Sequence, residues 1–66
     1  MGLKWIDTQE IAIQLNEKYP EVAPQYVKFT DLYKWVIELE DFEDDPKHCG
    51  EKVLESIQQF WLEEKN

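Results

Sequence analysis

The 66-residue chain has no arginine, two glycines, one cysteine, one histidine and no long apolar run. Each shortage removes a class of function. Without arginine, and with its seven lysines scattered, the chain lacks the cationic cluster that neutralises phosphates, so nucleic acid and anionic lipid are poor partners. A single cysteine, Cys49, cannot form an internal disulfide. Structural zinc usually needs four nitrogen or sulfur ligands, so His48 and Cys49 do not make a zinc site. Gly2 and Gly50 cannot build a phosphate-cradling loop. The lone histidine leaves no convincing Ser-His-Asp or Cys-His-Asn set for catalysis. No stretch approaches the roughly 20 apolar residues of a membrane span, and no apolar signal segment opens the chain, so a cytoplasmic location is expected.

What is abundant is negative charge. Fifteen acidic side chains face seven basic ones, a net charge of -8. The excess is concentrated in Glu38-Leu-Glu40-Asp41-Phe-Glu43-Asp44-Asp45-Pro46, which sets six carboxylates within eight residues. Charge of one sign at that density repels itself, and three readings stay open. The run is a solvated face, a site for a hard cation that accepts carboxylate oxygens, or a docking surface for a basic protein. It lacks the glycine and the alternating ligands of an EF-hand loop, which argues against a rigid, tight cage.

Aromatics are the second abundance, with three Trp, three Tyr and three Phe. A domain this small buries only roughly 60% of its unfolded surface. Aromatic side chains of roughly 150 to 250 Å² each can still hold one core. Trp5, Phe29, Trp35, Phe42, Phe60 and Trp61 are assigned to that core, most of them by helical spacing. Tyr33, off the Leu32/Trp35/Val36 stripe, is expected to be exposed and available to a partner.

Three main helices are expected, over about 7 to 19, 31 to 42 and 51 to 64, with a short fourth near 24 to 27. Asp7-Thr-Gln-Glu10 has capping-box spacing, and Pro20 ends the first helix. Pro24 favours a first helical turn, and Thr30 is the expected N-cap of the helix whose apolar stripe is Leu32, Trp35, Val36 and Leu39. On that helix Asp31, Lys34, Glu38 and Asp41 share the opposite ridge, with Asp45 on the same line if the helical path continued. Asp45-Pro46 disfavours further helix. Gly50 is a weak N-cap for a last helix with Val53, Leu54, Ile57, Phe60 and Trp61 on one face. Extended pieces are limited to the neighbourhoods of Leu3 to Ile6 and Val27 to Phe29. The expectation is therefore a single all-α, or mostly α, domain over 1-66, a winged-helix-like three-helix bundle with a helix-turn-helix core and at most vestigial strands. DNA binding would follow from that layout only by analogy, and the charge of the helix carrying Asp31, Glu38, Glu40 and Asp41 opposes it.

The ordered set Lys4-Trp5-x-Asp7, Tyr19-Pro20, Pro24, Val27-x-Phe29-Thr30-Asp31-Leu32, Trp35-Val36, Leu39-x-Asp41-Phe42-x-Asp44-Asp45-Pro46, Glu51-Lys52 and Trp61-Leu62 resembles the IscX (YfhJ) family of bacterial iron-sulfur cluster assembly. The resemblance covers nearly the whole chain, and it departs from the family pattern at His48-Cys49-Gly50. It implies a modified winged-helix adaptor, monomeric and without catalytic activity. Such an adaptor binds the IscS-type cysteine desulfurase through an acidic surface, in a ternary complex with the cluster scaffold as a further possibility. It competes there with frataxin, modulates sulfur delivery, and binds iron, Fe²⁺ or Fe³⁺, weakly and exchangeably. Carried onto this sequence, the metal and partner roles fall on Glu38, Glu40, Asp41, Glu43, Asp44 and Asp45, with Asp31 as an extension of the partner surface. An iron carrier or sensor is the alternative function for the same carboxylates.

Overall fold

The computed structural model describes residues 2–65. Three α-helices carry the fold: α1 (Thr8–Lys18), α2 (Phe29–Ile37) and α3 (Glu51–Lys65). Short 3-10 turns at Pro24–Tyr26 and Pro46–His48 precede α2 and α3, each with proline in its first turn. The all-α class expected from the sequence is what the structure shows. Among the described residues the only β pairing is an isolated parallel bridge between Leu3 and Phe42.

The three helices bury their apolar stripes together. Ile11, Ala12 and Leu15 of α1, Leu32 and Val36 of α2, and Leu54, Ile57 and Trp61 of α3 form one core with Leu3, Trp5 and Leu39. Helix α1 packs chiefly on α3. The aromatics set the remaining contacts. Tyr19 stacks on Trp35 with ring centroids 4.7 Å apart, Trp35 meets Trp61 edge-on at 6.3 Å, and Trp5 meets Phe42 edge-on at 4.8 Å. Tyr33, expected to be exposed, is instead half-buried and stacked on Trp5 at 5.9 Å. Its ring is recruited by a segment far away in sequence, which helical periodicity does not register.

Three local expectations are corrected. Asp7 precedes α1, but its side chain makes no capping bond to the helix. It turns back to accept the Lys4 amide at 3.0 Å, while the Asp7 amide donates to the Lys4 carbonyl at 2.9 Å. Thr30 is not an N-cap, because α2 starts at Phe29 from an extended Lys28 whose carbonyl accepts the Leu32 amide at 2.9 Å. Helix α2 also ends at Ile37 rather than continuing to 42, with Glu38 as its C-cap.

That early end has two physical causes. Carboxylates crowding a helix C-terminus oppose both one another and the negative end of the helix dipole. The backbone beyond Glu38 also has another partner. Leu3 donates its amide to the Asp41 carbonyl at 2.7 Å, and Glu43 donates to the Leu3 carbonyl at 2.9 Å. These bonds hold the 41–43 segment extended beside the chain's start and let both Leu39 and Phe42 reach the core.

Candidate functional site: the acidic segment after α2

Because α2 stops at Ile37, the acidic run is not the ridge of a helix but a turn followed by an extended segment clipped to residues 3–5. Lys4 Nζ donates to the Glu43 carbonyl at 2.7 Å. The Trp5 amide donates to Asp44 Oδ2 at 3.0 Å, and the Trp5 indole N–H donates to the Asp45 carbonyl at 2.8 Å. From α1, Gln14 Nε2 donates to Asp41 Oδ2 at 3.4 Å. Four side-chain bonds thus add to the backbone pairing and fix the run against the bundle.

Within the run the carboxylates divide by role. Asp44 is half-buried and engaged at both oxygens, Oδ2 by Trp5 and Oδ1 by the Asp45 amide at 2.7 Å. Its carboxyl is held below the usual carboxylate range, first by the Trp5 N–H, then by the Asp45 N–H, with partial desolvation opposing and His48 adding a smaller attraction. Asp45 Oδ1 accepts the Lys47 amide at 2.9 Å and starts the 3-10 turn at Pro46. Glu38, Glu40, Asp41, Glu43 and Asp45 are all exposed. Among the described residues no lysine pairs with any of them; the imidazole of His48 lies near two carboxylates, Nδ1 at 3.6 Å from Asp44 Oδ1 and Nε2 at 3.8 Å from Asp45 Oδ2. Asp31 is exposed in the first turn of α2, about 10 Å along the helix axis from Glu38, and is not gathered into the run.

The donors do not assemble into a chelate. Among the described residues no three His, Cys, Asp or Glu side chains converge closely enough to hold a metal ion. Asp44 has both oxygens committed, and one oxygen of Asp45 is committed as well. A preformed iron site does not fit these residues. Cys49 sits half-buried beside Phe29, Tyr33 and Leu54, where desolvation pushes its thiol up, away from the thiolate that binds metal or attacks a substrate. What the segment offers is a rigid display of negative charge.

Sequence reasoning did not give Lys4, Trp5, Gln14 or His48 a part in this segment. No local pattern marks them, since Lys4, Trp5 and Gln14 lie 27 to 40 residues from the groups they bond. Comparison with known proteins agrees with the ordered set of residues that begins Lys4-Trp5-x-Asp7. A family model for iron-sulphur cluster assembly matches residues 3–66. An uncharacterized protein of Pseudomonas aeruginosa is similar along its entire length, 61% identical over 66 residues that cover 100% of both chains. The chain belongs to the iron-sulphur cluster assembly family, the IscX/YfhJ family.

Proposed function

We propose that this chain is a non-catalytic adaptor that docks on a cysteine desulfurase of the IscS type and modulates the delivery of sulfur for cluster assembly. The observation that supports this reading is the display of Glu38, Glu40, Asp41, Glu43 and Asp45 on a segment that hydrogen bonds hold in place, with no lysine paired to them among the described residues. Carboxylates carried on a backbone already held in place, with no lysine to displace, lose less entropy when a cationic surface arrives, and their summed field speeds the encounter. In this reading the adaptor works in the cytoplasm as a monomer, competes with frataxin for the same basic surface, and can share the desulfurase with the scaffold protein.

An iron carrier or sensor is the other use for these carboxylates. No observation favours it over docking, because the donors do not converge. Anaerobic calorimetry with Fe²⁺ separates the two: binding weaker than about millimolar removes a carrier role and leaves docking intact.

Titration of the desulfurase with this protein at low and at high salt tests the proposal. The expected result is tight binding at low salt that weakens steeply as salt rises, with added frataxin displacing the adaptor. Absence of binding at low salt would sink it.

A further inference from the structure

The face beside the acidic run is built unlike ordinary solvated surface. Two hydrogen bonds close the Lys4–Asp7 turn, from the Lys4 amide to Asp7 Oδ2 at 3.0 Å and from the Asp7 amide to the Lys4 carbonyl at 2.9 Å. The turn sends Trp5 into the core, where it is 2% exposed, and leaves the next side chain, Ile6, 84% exposed. Ile6 is thus a large aliphatic group held rigidly in water. It does not stand alone, since it borders a shallow groove with Ile13 of α1 and Phe60 of α3. Asp7 and Glu10 form the acidic edge of that groove. Glu10 and Ile13 also line an adjoining groove that carries Glu17, Glu40 and Asp41. The lysine in that second groove, Lys18, lies over the Tyr19 ring at 5.7 Å and forms no ion pair with these carboxylates among the described residues.

We propose that the partner contact extends across α1 onto this face, with Ile6, Ile13 and Phe60 as its apolar floor and Glu10 and Glu17 as its acidic wall. The occupant is an amphipathic basic segment of the same protein partner, whose lysines or arginines meet the carboxylates while its aliphatic side chains cover Ile6. Charge alone would make the contact generic. The exposed aliphatic group on a rigid turn, joined through Glu10 to the acidic run, selects a segment that is both basic and apolar. This inference rests on the docking reading above, but it places energy in residues that reading does not use.

Ile6→Ser and the double variant Glu10→Gln/Glu17→Gln test it, with Glu55→Gln/Glu63→Gln on α3 as a control of equal charge change. Affinity for the desulfurase is expected to fall about ten-fold with Ile6→Ser, at unchanged thermal stability. It is expected to fall more with the α1 pair than with the α3 pair. Unchanged affinity in Ile6→Ser, or equal losses in the two double variants, would overturn the inference while leaving docking by the run standing. A second measurement stands free of the desulfurase. In NMR titration with a synthetic Lys/Leu amphipathic helix peptide, shifts at Ile6, Ile13 and Phe60 that weaken in Ile6→Ser support the groove, and their absence overturns it.

Discussion

Asp44 and Trp5 hold each other through the main chain: the Asp44 carboxylate accepts the Trp5 amide at 3.0 Å, one residue before the Asp45 carbonyl accepts the Trp5 indole at 2.8 Å. The most acidic stretch of the chain is thereby pinned to the core through its most buried aromatic neighbour. Asp44 is a structural carboxylate inside a run whose other members face water.

The Asp44 carboxyl titrates below its unfolded value, so its contribution to stability is fully present above about pH 3.9 and is lost as pH falls through the folded value. Asp44→Asn removes that contribution. Urea denaturation of the parent and the variant is expected to show a gap in stability at neutral pH that narrows in the acid range below the ordinary carboxylate pKa. A gap that stays constant with pH would mean the carboxylate's charge has no part in the bond.

Trp5→Phe keeps the ring in the core but removes the indole donor. A cost of about 1 to 3 kcal/mol is expected from the lost bond and the reduced volume. Amide exchange at Glu43, whose N–H donates to Leu3, is expected to speed up with it, because the same segment loses its anchor. Denaturant unfolding and hydrogen exchange read the two effects separately.

Glu38 caps the C-terminus of α2, where a negative side chain opposes the helix dipole. Glu38→Gln is expected to stabilise the fold by about 0.3 to 1 kcal/mol and, under the proposed docking, to weaken binding to the desulfurase. Thermal unfolding and binding would move in opposite directions, the pattern of a charge kept for function rather than for stability.

Cys49 is expected to be a slow thiol. Its raised pKa leaves less thiolate at neutral pH than a free cysteine has, so alkylation by iodoacetamide should run slower than in a short cysteine peptide. Cys49→Ser should leave desulfurase binding unchanged. Fast alkylation would contradict the burial of the thiol.

Helix α1 and helix α3 were legible because their limits are local: proline after Tyr19, and the apolar stripe from Val53 to Trp61 that begins just after Gly50. The end of α2 was not. It depends on Leu3 and Trp5, whose bonds to Asp41 and Asp44 span nearly the first two thirds of the chain, and no periodicity carries contacts 39 residues apart. The same long-range pairing buries Tyr33 against Trp5 and commits Asp44. Composition located the acidic site, but only geometry divided its carboxylates into one that anchors and five that are displayed. Asp31 keeps its place on the α2 ridge two turns before Glu38, as helical spacing predicts, and the early end of α2 takes Asp41 and Asp45 off that ridge.

Desulfurase binding by the triple variant Glu40→Lys/Asp41→Lys/Glu43→Lys, measured by calorimetry at low salt beside Glu55→Lys/Glu63→Lys, is the most direct test of docking through the displayed carboxylates. The variant is expected to unfold near the parent's denaturant midpoint, since it loses only the long, exposed bond from Gln14 to Asp41 and keeps Asp44 and its bonds, and to bind at least about ten-fold more weakly than the α3 variant. Binding equal to that of the parent, in a variant that remains folded, would contradict it.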